Sequence, residues 1–180
     1  MVSLAFPSVD PSKGGGDVRH RRVAGRHRPL RQTFTKGDLP MTPVRQVAVL
    51  ICMDASIDSA KALGLEEGGG HVIRNAGVQA IDDALRSLIN SQQLLGIRTV
   101  LVIHHIDCGM LTFTDEQLRW KLRDELGADT SGIDFLTFGD MEHSVRDDVA
   151  IIRSSPLILR ETSVRGFIYD VHTGGLREAP

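Results

Sequence analysis

With 180 residues, 41 % of them hydrophobic, the chain has enough material for one domain with an ordinary charged surface. Two cysteines are too few for a disulfide scaffold, and no window approaches the roughly 18 consecutive apolar residues of a membrane span, so a cytoplasmic protein without a membrane partner is expected. The net charge of −2 is unevenly divided: residues 1–36 carry eight Lys or Arg against Asp10 and Asp17, and the acidic remainder argues against nucleic acid as a partner of the domain.

Residues 1–38 show no sustained helical or strand period and include Gly14-Gly15-Gly16, Pro7, Pro11, Pro29 and scattered arginines. They are expected to form a basic, mostly disordered arm ahead of a domain over 39–180. An organelle transit peptide, or a nucleic-acid contact confined to the arm, is the functional alternative.

Val47-Ala48-Val49-Leu50-Ile51 is a short continuous apolar run of the kind found in strands buried on both faces. Val72-Ile73 predicts a shorter strand. Ile81, Ala84, Leu85, Leu88, Ile89 and Leu95 recur near one helical face that Gly96 ends. Thr99-Val100-Leu101-Val102-Ile103 repeats the buried-strand pattern. Thr114 with Gln117 predicts a capping box opening a helix to Leu126 and Gly127. A further helix is expected from about Asp140 to Arg153, before Pro156, then a strand over 164–171 closed by Thr173-Gly174-Gly175. This alternation predicts an α/β fold, a mostly parallel central sheet flanked by helices.

Cys52 falls at the C-terminal end of the first strand, and His104, His105 and Cys108 fall at or just beyond the end of another, where open parallel sheets place their sites. Two thiolates and an imidazole suit zinc, although spacing does not separate His104 from His105, and either thiol could simply fill core volume. Asp54, two residues after Cys52, points the same way in an extended segment and is the natural fourth participant.

Taken together, Cys52-Met53-Asp54-Ala55, His71-Val72-Ile73-Arg74-Asn75-Ala76-Gly77 and His104-His105-Ile106-Asp107-Cys108-Gly109-Met110 closely resemble the β-carbonic anhydrases, especially their compact bacterial and fungal branch. The resemblance runs from about Phe34 to Leu176. It implies Zn2+ held by Cys52, His105 and Cys108, with Asp54 near the fourth position, and a homodimer or higher multiple. The reaction it implies is hydration of carbon dioxide to bicarbonate by a metal-bound hydroxide. Members of this family also hydrolyse carbonyl sulfide or carbon disulfide, which gives the alternative activity; a noncatalytic zinc dimer that binds an anion or a partner is the third reading.

The family's Cys-x-Asp-x-Arg motif here ends in Ser56. A serine hydroxyl offers one neutral donor where a guanidinium offers two charged ones, so Asp54 is expected to be poorly restrained, to compete with water for the metal and to reduce activity. Arg74 is the candidate substitute for the missing cation. Val78 stands where many relatives carry glycine, and packing is its expected role.

Overall fold

A strand with parallel neighbours on both sides must hide both faces, and Val47–Cys52 (β1) is buried at every position. In the computed structural model, which describes residues 29 and 31–179, the elements that follow are Ser59–Leu63 (α1), His71–Asn75 (β2), Asp82–Leu95 (α2) and Thr99–His105 (β3). Then come Asp115–Leu126 (α3), Met141–Ser154 (α4), Ser163–Tyr169 (β4) and Leu176–Glu178 (β5). The five strands form one sheet in the order β2-β1-β3-β4-β5, parallel except for the β4–β5 pair. The chain is therefore an α/β protein with a mostly parallel sheet.

Two short elements escape the sequence pattern. α1 has only five residues, too few to display a helical period; it exists because Asp58 accepts a hydrogen bond from the Lys61 N–H and Gly64 closes it at φ 58°. The expected strand over 164–171 instead ends at Tyr169, and a turn returns the chain as β5, which is exposed throughout. Thr114 and Gln117 form the expected reciprocal capping box at the start of α3.

The core lies between the sheet and its helices. α2 packs on β1 and β2, and α4 on β3 and β4. The buried face of α2 is Ala84, Leu88, Ser91 and Gln92; Ile81, expected on that face, is its N-cap and is largely exposed. α4 comes close to β4 because Gly166 has no side chain: a Cβ there would collide with Val145 and press on Val149. Among the described residues, no helix is long and apolar enough to cross a membrane.

The chain divides into two units, Met1–Leu39 and Pro40–Pro180. In the first, residues 29 and 31–33 are helical and residues 34–38 follow without helix or strand; residues 1–28 and 30 of the expected basic arm lie outside the described residues.

Candidate metal centre

Strand order reverses between β1 and β3: the chain leaves β1 to build β2 on one side, then returns to build β3 on the other. In open parallel sheets the crevice at such a reversal, beyond the strands' C-terminal ends, is where ligands bind. Cys52 ends β1 and His105 ends β3. Cys108 follows after a turn that Asp107 makes in the left-handed region, at φ 57°. The two sulfurs and one imidazole nitrogen lie within 4.8 Å of one another, and all three residues are buried. A tetrahedral zinc at ordinary bond lengths places neighbouring ligand atoms about 3.5–4 Å apart, which this cluster accommodates.

The main chain settles the state of His105. Its Nδ1 lies 2.9 Å from the Ile106 carbonyl, which can only accept, so Nδ1 carries the proton and Nε2 presents its lone pair. That Nε2 is buried and has no hydrogen-bond partner among the described residues. A buried polar atom is rarely left so, and a metal ion between it and the two sulfurs would satisfy it. His104 is excluded from the cluster by strand alternation: its ring turns to the opposite face, where Nε2 lies 2.9 Å from Asp148 Oδ2.

The sulfurs share their proton unequally. Cys52 is lowered to about 4, chiefly by the Cys108 thiol, then by the nearby His105 ring, which lies too far or too oblique for a formed hydrogen bond, and by the Gly77 and Asp54 main chain, against the opposing effect of burial. Cys108 is pushed up by the same pairing and by burial. Burial disfavours the charged form of His105, but the adjacent Cys52 sulfur outweighs it and the pKa is raised. Zinc takes both sulfurs as thiolates, so its binding releases the thiol protons.

Asp54 does not join the three converging groups. Its Oδ1 accepts both the Ser56 N–H at 2.7 Å and the Ser56 hydroxyl at 2.6 Å. The expectation of a poorly restrained carboxylate is thereby corrected: counting side chains alone overlooked the serine's own backbone donor. Arg74 stands elsewhere than expected, since its Nε donates to the Cys52 carbonyl at 2.9 Å and its Nη2 to the Asp54 carbonyl at 2.6 Å. It clamps the main chain of the Cys52–Asp54 segment and not the carboxylate.

The chain is 45 % identical over 143 residues to β-carbonic anhydrase 1 of Mycobacterium tuberculosis, covering 79 % of this chain and 87 % of that protein. The chain belongs to the β-carbonic anhydrase family. Other members of the family resemble it in structure: the carbonic anhydrase of Streptococcus mutans superposes with a TM-score of 0.84 at 40 % identity, covering 90 % of this chain and 97 % of that one. A carbon disulfide hydrolase of Saccharolobus solfataricus is 31 % identical over 157 residues, covering 74 % of this chain and 77 % of that enzyme. No family model matches.

Val78 is fully buried in the core at φ 64°, so it shapes packing and does not line an open cleft. Asp148 was not singled out in the sequence. Its only signal there is its place among Ser144, Val145, Val149 and Ile152 on the buried face of α4, a position where an aspartate needs partners. The Ile106 carbonyl and the Gly77 N–H are backbone groups, which no residue pattern reveals.

Proposed function

We propose that this chain is a zinc-dependent carbonic anhydrase that hydrates carbon dioxide to bicarbonate. The observation that carries the reading is the unpartnered, buried Nε2 of His105 converging with the Cys52 and Cys108 sulfurs. These three residues would hold the ion, and the donor set of two sulfurs and one nitrogen, with no fourth group in the cluster among the described residues, is the pattern of an open catalytic zinc site. When bound, zinc supplies a Lewis acid that makes water nucleophilic at neutral pH.

The chain's own residues do the remaining work. The Ile106 carbonyl holds the His105 tautomer, and Arg74 fixes the segment from Cys52 to Asp54. Ser56 holds Asp54 through Oδ1 and leaves Oδ2 as the acceptor that can orient a proton on the attacking water. We place the protein in a reducing compartment, where both thiols stay free for the metal. The tetrameric β-carbonic anhydrases of Sordaria macrospora, which share the fold, support a homodimer or a higher multiple, to be read by light scattering.

Metal analysis combined with two rate assays tests the proposal. Purified protein should carry one zinc per chain and hydrate carbon dioxide, and Cys108→Ser should lose most of the metal. Protein that binds no zinc would overturn it. Zinc-loaded protein that leaves carbon dioxide untouched but releases sulfide from carbon disulfide or carbonyl sulfide would assign it to its hydrolase relatives instead.

A further inference from the structure

Next to the metal-binding His105, on the other face of β3, His104 is 1 % exposed and faces Asp148, itself 2 % exposed, at 2.9 Å. The proposed chemistry uses neither residue. Burying a carboxylate is costly unless its oxygens are occupied, and both are: Oδ2 meets His104, and Oδ1 accepts the Ala80 N–H at 2.7 Å.

The bond to Ala80 leads back to the metal centre. Ala80 closes a turn after β2 in which Gly77 lies at φ 74° and Val78 at φ 64°. A left-handed conformation suits glycine, but for a β-branched residue it is strained and persists only where the surroundings impose it. Here they do. Asn75 ties the turn by donating to the Gln79 carbonyl at 2.7 Å and accepting the Gln79 N–H at 2.8 Å, and Asp148 holds its far end.

The turn passes close to the loop that carries Cys108. A side chain at Gly77 would meet Met110, two residues after Cys108, at 3.1 Å, and Phe138 at 3.3 Å. Phe138 in turn stacks edge-on against His104 with ring centroids 5.5 Å apart. The Gly77 main chain lies near enough to the Cys52 sulfur to help lower its pKa.

We propose that His104 and Asp148 are positioning residues for the metal centre: the buried pair holds the left-handed Gly77–Val78 turn in place, and the turn sets the Cys52 sulfur and the Cys108 loop at the spacing the metal needs. The inference rests on the zinc reading above. Groups that orient metal ligands from behind typically change metal affinity by about ten- to hundredfold when removed. Asp148 differs from a simple packing residue in one respect: its effect should depend on whether the turn is strained.

The test uses that dependence. Zinc affinity is measured by chelator competition, and sulfur geometry by the sulfur-to-metal charge-transfer band of the cobalt-substituted protein. Both are recorded for Asp148→Ala and Asp148→Asn, each with Val78 and with Val78→Gly. With Val78 in place, Asp148→Ala should weaken zinc binding by about tenfold or more and shift the cobalt band. Asp148→Asn, which keeps an acceptor for Ala80, should cost about threefold. With glycine at position 78 the left-handed turn no longer needs holding, and both penalties should shrink to about twofold or less. Equal penalties in the two backgrounds would overturn the proposal, leaving Asp148 a core residue; so would unchanged zinc affinity in Asp148→Ala. If Asp148→Ala gives no soluble protein, the Asp148→Asn pair answers the same question by the same comparison. Wild-type protein that binds no zinc at all would refute the zinc reading itself, an outcome distinct from either of these.

Discussion

Ser56 replaces a charged fork with two short bonds from neutral donors to one carboxylate oxygen, and the result is still a restrained aspartate. The hydroxyl first and the N–H second hold the Asp54 carboxyl below the usual carboxylate range. A carboxylate depressed in this way contributes stability above its unfolded-state pKa, and the contribution is lost as the pH falls through the folded value. Ser56→Ala removes the larger influence and keeps the N–H. The Asp54 pKa should then rise toward its ordinary value in a carbon-detected NMR titration, and hydration should slow by up to about tenfold if one charge-assisted bond is lost. Ser56→Arg, which the sequence alone suggests as a gain, should change the rate by less than about threefold, because the restraint already exists. A tenfold gain would restore the view that Asp54 closes the site.

At the scale of elements, α3 and the segment after it are joined by one residue. Asp115, in the first turn of α3, accepts the Phe135 N–H at 2.9 Å and the Thr137 N–H at 3.0 Å, as well as the Thr137 hydroxyl at 2.7 Å. These donors lower its pKa, Thr137 N–H foremost. The segment they fix leads to Phe138, which wedges between His104 and Gly77. Asp115→Ala should cost about 1–2 kcal/mol in denaturant unfolding, toward the low end because the carboxylate is partly exposed. The loss should be largest at neutral pH and fade in acid, where the wild-type carboxylate is itself protonated. A variant equally stable at all pH values would show that the segment is held by its apolar contacts alone.

Over the whole molecule, the strands and long helices were legible because each carries a full period of apolar residues or a capping signal: the run at 47–51, the box at Thr114 and Gln117, the arc from Ala84 to Leu88. What stayed hidden had no period to show. α1 is one turn long, β5 has three exposed residues, and part of the restraint of Asp54 comes from a backbone N–H that every residue but proline possesses. The cluster of Cys52, His105 and Cys108 was legible as residues. The choice between His104 and His105 came from resemblance; its physical basis, the alternation that sends His104 to Asp148, required the fold. Arg74 was legible as a cation near the site but not as a clamp on two carbonyls, since a sequence does not say which atoms a long side chain will reach.

The placement of the metal ligands has a consequence for how the chain folds. Cys52 and His105 come from the ends of β1 and β3, and all of β2 and α2 lies between them in the chain. No local segment can assemble the set, so the two central strands must be paired in register before a metal ion finds its partners. Metal capture is therefore a late event that follows the folding barrier. Zinc in the refolding buffer should leave the folding rate unchanged while slowing unfolding in proportion to the stability it adds, so that stopped-flow traces with and without the ion differ only on the unfolding limb. A folding rate that climbs with zinc concentration would mean that the β1–β3 pair closes around the ion instead of awaiting it. On the order expected here, the metal acts as a latch on a finished sheet, and a cell short of zinc would accumulate folded chains lacking the ion but ready to receive it.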